Sequence, residues 1–144
     1  MPTLKLLRLE NGTDTPLPAY ATAGAAGMDV HSVDSIKMYH GNTAILRTGL
    51  AVEVPSGYEL QVRSRGGLAS RGVFVTNGPG TIDEDYRGEI MILLSHLGKN
   101  AVQIEPGDRI AQLVLAPVTR FEVEEVSELS PTDRGEGRFS STGR

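Results

Sequence analysis

Cysteine is absent from the 144-residue chain, which excludes disulfides, thiol nucleophiles and thiolate metal sites and leaves no redox chemistry from which to read a compartment. Histidine is scarce. His31, His40 and His96 stand far apart and none begins a His-x-x-x-His or His-Glu-x-x-His pattern, so no zinc centre is expected. Long apolar runs are missing too: stretches such as Ile110 to Val118 fall well below the ~20 residues of a membrane helix, and Met1 to Leu9 lacks a signal peptide's apolar core and cleavage site. A cytoplasmic chain is expected, in the host cytoplasm if a virus encodes it. The net charge of −4 offers no broad basic face for nucleic acid, and no Gly-x-x-x-x-Gly-Lys-Ser/Thr occurs, which removes the P-loop nucleotide folds. Any anionic ligand must meet locally concentrated arginines or a cation.

What is present is alternation with period two. Tyr58, Leu60 and Val62 face one way while Glu59, Gln61 and Arg63 face the other, the pattern of a half-buried strand. Similar runs occupy Leu50 to Val54, Ile90 to Leu94, Val102 to Ile104, Ile110 to Leu115 and Phe121 to Val126. Turn chemistry bounds them, as in Pro55-Ser56-Gly57, Asn77-Gly78-Pro79-Gly80 and Pro106-Gly107-Asp108. Short strands at near-regular spacing predict an all-β sandwich or barrel, with at most one or two helical turns around Leu68 to Arg71. One domain of residues 1–129 is expected, followed by a polar, glycine-rich arm of residues 130–144.

Four segments carry candidate chemistry. Arg63-Ser64-Arg65-Gly66-Gly67-Leu68 sets two guanidiniums beside backbone that can curl around an anion, or is an ordinary exposed turn. Thr81 to Glu89 gathers four carboxylates beside Tyr86; a carboxylate there can deprotonate a water, hold a metal directly, or belong to a solvated acidic turn, and the residues leave all three open. Asp29, among small residues, reads as a structural acid that bonds backbone amides or an arginine. In the arm, Arg134, Arg138 and Arg144 sit among glycines and hydroxyls with Phe139 as a stacking face, a composition that suits wrapping an anion but equally suits disorder.

The order of these segments resembles the five motifs of the trimeric dUTPase family: Ala26-Gly27-Met28-Asp29-Val30, Arg65-Gly66-Gly67-Leu68-Ala69, Asn77 through Glu89, Gly107-Asp108-Arg109-Ile110-Ala111-Gln112-Leu113, and Arg134-Gly135 through Gly143. The resemblance implies a jelly-roll-like β-barrel, a homotrimer whose sites each draw on all three copies, and hydrolysis of dUTP to dUMP and pyrophosphate. It implies Asp83 as the acid that orients the attacking water. Asn77 and the segment Gly80, Thr81, Ile82, Asp83 and on to Met91 would read the uracil edge, and Tyr86 would stack on the deoxyribose. Arg65, Gly66, Gly67 and Gln112 would hold the phosphates, with Asp29 as structural support. Arg134, Phe139, Ser141 and Thr142 would cover the γ-phosphate and base of a neighbouring subunit. Mg2+ would ride on the triphosphate rather than on protein ligands.

The chain departs from the family pattern at two places. The second motif usually reads Pro-Arg-Ser-Gly-Leu, but here Gly66 stands where the serine is expected, so a hydroxyl beside the α,β-bridging oxygen is missing unless a water or Ser64 replaces it. A hydrogen bond to a charged group is worth about 1.5–3 kcal/mol, enough to slow turnover roughly ten- to a hundredfold. In the fifth motif Arg138 and Ser140 occupy places where glycine is common. Two other readings stand beside dUTP hydrolysis: a dCTP deaminase relative, which shares the barrel and the trimer, and a nucleotide-gated protein with slow hydrolysis that binds a regulatory protein partner.

Overall fold

Alternating sequence becomes strand in this chain wherever another strand lies alongside to take its backbone hydrogen bonds. The computed structural model describes residues 1–143. Ten strands follow in chain order: β1 (Lys5–Arg8), β2 (Met28–His31), β3 (Ile36–Met38), β4 (Thr43–Glu53), β5 (Tyr58–Arg63), β6 (Val73–Val75), β7 (Gly80–Ile82), β8 (Glu89–His96), β9 (Val102–Ile104) and β10 (Arg109–Pro117). One four-stranded sheet has the order β1-β4-β8-β6 and a second β2-β10-β5-β7; β3 and β9 form a small third sheet. Every strand pair is antiparallel. The architecture is the expected jelly-roll-like β fold. Among the described residues helix is confined to a turn at Glu10–Gly12 and α1 (Gly66–Ala69), the latter close to the expected position. Among the described residues no helix is long and apolar enough to cross a membrane.

The core lies between the two larger sheets. Leu46 and Leu50 from β4, Leu60 from β5, Ile90, Ile92 and Leu94 from β8 and Leu113 from β10 are almost wholly buried, and each such side chain contributes about 1.5–3 kcal/mol of burial. The polar groups that enter this core bring their partners with them. Thr48 donates to the Ile90 carbonyl at 2.6 Å. The buried His96 ring accepts from the Gly98 amide at 3.2 Å and donates to the Asn100 carbonyl at 2.7 Å, which fixes its tautomer.

A bulge between Arg47 and Ala51 bends β4. There Gly49, at φ +68°, meets the backbone of Gly12 so closely that a Cβ on Gly12 would sit 2.3 Å from the Gly49 carbonyl oxygen. Only glycine pairs with glycine at that contact. Glu89 locks it by accepting from the Gly49 amide at 2.8 Å and from Asn11 Nδ2 at 2.9 Å, so the bend is tied to the first residue of β8.

One expected strand is not formed. Phe121 to Val126 alternates as a strand should, yet Phe121 and Val123 are 84% and 86% exposed and no strand of this chain lies beside them. Periodicity supplies an apolar face; a strand also needs a neighbouring backbone. From residue 118 to 143 the chain carries no strand or helix and its side chains are exposed.

Candidate active site

The register of the second sheet aligns three of the expected residues. Asp29 of β2 lies opposite Gln112 of β10, which lies opposite Arg63 of β5. Buried neighbours along β2 and β10 (Val30, Ala111, Leu113) point inward, so Asp29, His31 and Gln112 share the outer face. Arg65 stands just past the end of β5 and folds back onto this row. Its Nε donates to Asp29 Oδ1 at 2.8 Å and its Nη1 reaches the Arg109 carbonyl at 3.4 Å. Arg109 closes on the other oxygen of Asp29 at 3.5 Å. A carboxylate only 17% exposed thus sits between two guanidiniums, which offsets its desolvation and orients both. The remaining Arg65 donors are left for an anion.

Gly66 and Gly67 open α1, where glycine costs roughly 0.5–1 kcal/mol relative to alanine. Neither has a positive φ, and a Cβ on either would meet nothing within 4 Å. The fold does not require glycine at these positions; what glycine leaves is open space over backbone amides beside Arg65. Ser64 is tied to β6: its Oγ accepts from the Val75 amide at 2.8 Å, which leaves its O–H available to donate.

A second cluster lies at the other end of the β5–β7 pair. Asp83 follows Ile82, which pairs with Leu60, so Asp83 lies level with Glu59. A cleft of about 360 Å³ includes Glu59, Asp83, Glu84, Asp85 and Arg120. On the other side of Asp83 a cleft of about 210 Å³ is lined by Thr81, Ile82, Asp83, Tyr86, Glu89, Ile90 and Met91. The Tyr86 hydroxyl donates to the Glu89 carbonyl at 2.9 Å and fixes the ring across this cleft; a Cβ on Gly88 would strike that hydroxyl at 2.5 Å.

The four carboxylates that the sequence left equivalent are sorted by their partners. Glu84 accepts from the Gly57 amide at 2.8 Å and faces Arg120 at 3.6 Å, and the Gly57 bond first, with Arg120 assisting against burial, holds it below the usual carboxylate range. Glu89 is committed to the Gly49 and Asn11 contacts. Among the described residues Asp83 and Asp85 accept no side-chain hydrogen bond, and only Asp83 lines the Tyr86 cleft. No three His, Asp or Glu side chains of the described residues converge on a metal-sized position.

Not every expected residue joins a cluster. Asn77 and Gly80 lie beside each other, with Asn77 Nδ2 3.4 Å from where a Gly80 Cβ would stand, but outside the Tyr86 cleft. Arg134, Phe139, Ser141 and Thr142 remain on the exposed segment, where Arg134 Nε bonds only its own turn at the Gly137 carbonyl, 3.0 Å, and Phe139 is 96% exposed. His31 was missed by the sequence reading. It pairs in register with Arg109 on the face that holds Asp29, its Nδ1 is buried without a partner, and burial holds the imidazole below its ordinary value, opposed by Asp29 and reinforced by Arg109 and Arg65. Its position two residues after Asp29 in an alternating strand was the available signal.

The dUTPase family model matches residues 13–143. A deoxyuridine 5'-triphosphate nucleotidohydrolase of Anaplasma marginale is 52% identical over 97% of this chain and 97% of its own. Among solved structures, a mutant dUTPase of Staphylococcus bacteriophage 80alpha with dUpNHpp is 28% identical, covers 99% of both chains and superposes with a TM-score of 0.83. A mutant dUTPase of phage phi11 of S. aureus, described with a structural Mg(II) ion, is 25% identical over 88% of this chain and 97% of that one, with a TM-score of 0.77. The match of family model and relatives over nearly the whole length places the chain in the dUTPase family.

Proposed function

We propose that this chain hydrolyses dUTP to dUMP and pyrophosphate, limiting uracil entry into DNA and supplying dUMP for thymidylate synthesis. The observation that carries the reading is the pairing of an Asp29-oriented Arg65 beside open glycine backbone with an unengaged Asp83 at the mouth of the Tyr86 cleft. Asp83 accepts a proton from water as the water oxygen bonds to the α-phosphorus. The bond to the α,β-bridging oxygen then breaks and pyrophosphate leaves. Arg65, the Gly66 and Gly67 amides and Gln112 hold the phosphate oxygens, where fixed charge is most effective against the developing negative charge. Asn77 and the segment Gly80 to Met91 read the uracil edge, and Tyr86 lies against the deoxyribose.

Mg2+ supplies further charge neutralisation on the triphosphate oxygens, the ligands this hard and well-hydrated ion prefers. The chain's part is to complete that neutralisation with Arg65, which lets a protein of net charge −4 receive a polyanion.

The spacing of the two clusters fits a site shared between copies, as in the homotrimer that the family resemblance implies. From Glu59, level with Asp83, to Arg63 is four strand steps, or about 13 Å at roughly 3.3 Å per residue, and Arg65 lies beyond. One copy's Asp83 end and another's Arg65 end can meet across an interface and share one nucleotide. In this reading residues 130–144 form the arm that brings Arg134, Phe139, Ser141 and Thr142 over a neighbouring copy's ligand, ordering when the nucleotide repays the entropy. A cytoplasmic location matches a soluble nucleotide substrate.

The test is pyrophosphate release from dUTP with Mg2+, set against dCTP, dTTP and UTP. Release from dUTP alone is expected. Ammonia released from dCTP without pyrophosphate would replace the reading with the deaminase, and tight dUTP binding without turnover would favour the nucleotide-gated binder that Gly66 leaves open.

A further inference from the structure

Arginines in this barrel are held. Arg8 donates to the Gly12 carbonyl, Arg47 to Asp34, Arg63 to Gln61, Arg65 to Asp29 and Arg87 to the Glu84 carbonyl, while Arg109 pairs with Asp29. Among the described residues of the barrel, up to Pro117, Arg71 is the exception: its guanidinium makes no hydrogen bond and no ion pair, although its backbone is fixed by the bond from its amide to the Leu68 carbonyl at 3.0 Å. It stands just past the end of α1 and lines a cleft of about 360 Å³ with Arg65, Gly67, Asp108 and Arg109, as well as a neighbouring cleft on the Gly98 side. Asp108 is committed to the turn before β10, accepting from the Glu105 amide at 2.8 Å, and Asp29 is shared by the other two arginines. Three guanidiniums therefore meet two carboxylates that are already engaged. Like charges gathered in one concave site are unfavourable unless an anion visits, and a cleft raises the local field that draws one in.

We propose that Arg71, with Arg109, forms a second anion subsite beside the substrate phosphates that receives the leaving pyrophosphate. The inference rests on the hydrolysis reading but concerns residues to which that reading assigns nothing. Arg65 and Gly67 line both places, so the product passes from one to the other by a short shift along one wall. Pyrophosphate is compact and highly charged, whereas dUMP keeps the base and sugar that belong at the Tyr86 cleft. The two products are thereby separated by chemistry: the subsite recognises the one and not the other.

The experiment is inhibition of dUTP hydrolysis by added magnesium pyrophosphate and, separately, by dUMP, in the unaltered protein, Arg71→Gln and Arg71→Lys. Arg71 is exposed and bonds nothing through its side chain, so both variants are expected to fold. Arg71→Gln is expected to weaken pyrophosphate inhibition about threefold to tenfold, the range for loss of one partly screened charge contact, while dUMP inhibition stays unchanged and Arg71→Lys retains most of the effect. Unchanged pyrophosphate inhibition in Arg71→Gln, an equal change for dUMP, or no pyrophosphate inhibition of the unaltered protein would each overturn the proposal. If the unaltered protein hydrolysed no dUTP the functional reading itself would fall, and calorimetric titration with pyrophosphate would still decide for or against the subsite.

Discussion

At one end of the β5–β7 pair, Asp29 holds Arg65 at 2.8 Å and Arg109 at 3.5 Å, and three strands in register keep the row in place. At the other end the Asp83 carboxylate accepts no hydrogen bond among the described residues, although Glu84 and Glu89 of the same acidic segment are both tied down. The contrast follows from what each end must do. A group that neutralises charge is most effective when its orientation is settled before the ligand arrives, because no reorganisation is then needed during reaction. A group that must collect a proton needs a free lone pair, and every hydrogen bond donated to it would stabilise its ionised form and weaken it as a base. Under the proposed mechanism, the chain fixes the cations around Asp29 and leaves its base open.

The contrast is broken most severely at the open end. Asp83→Asn should lower turnover by roughly 10²- to 10⁴-fold, the range for losing a positioned general base, with thermal stability unchanged because no bond is lost. A steady-state assay beside a thermal melt checks both; a loss below tenfold would show that another group takes the proton. Asp29→Ala should do the reverse. It releases two guanidiniums without touching the reacting water, so kcat/KM is expected to fall about ten- to a hundredfold, equivalent to about 1.4–2.7 kcal/mol, together with a lower melting temperature. Equal stability with normal kcat/KM would mean that Arg65 needs no fixing.

Gly66 tests whether the fixed end is complete. A Cβ there meets open space, so Gly66→Ser adds a hydroxyl without repacking. Turnover is expected to rise about tenfold, from one hydrogen bond to a charged oxygen realised in the transition state. If pyrophosphate release is the same with and without the hydroxyl, the amides and Arg65 already suffice.

How far this contrast could be read in advance depended on the residue. The strands of the core were legible because burial on one face writes a period of two, and the motif order pointed to both clusters. Phe121 to Val126 shows the limit: the same period is present, but whether a backbone lies alongside is not encoded locally. The acidic turn shows another. Asp83, Glu84, Asp85 and Glu89 are alike as acidic residues, and only the tertiary partners Gly57, Gly49 and Asn11 separate the engaged Glu84 and Glu89 from the two unengaged aspartates. The pairing of Asp29 with Arg65 could not be read locally, because it required β2 and β5 to flank the same strand, β10.

The smallest expected effect sharpens the fixed end further. His31 lies on the Asp29 face with an unpartnered buried Nδ1, and burial, against the pull of Asp29 and with Arg109 and Arg65 assisting, lowers its pKa. The folded protein then binds its proton less readily than the unfolded chain does. The stability tied to this group is therefore fully present above the unfolded value, about 6.5, and is lost as pH falls through the folded value. Asp34, lowered chiefly by its hydrogen bonds from Arg47, and Glu84, lowered chiefly by the Gly57 amide, follow the same sign but act only below the usual carboxylate range, about pH 4. Melting curves between about pH 7.5 and about pH 5 thus isolate the histidine. The unaltered protein should lose melting temperature across that window and His31→Asn should lose less, since an amide cannot add a third cation beside Arg65 and Arg109. Parallel curves for the two would show that His31 gains a partner on protonation, and that the arginine end tolerates more positive charge than its geometry suggests.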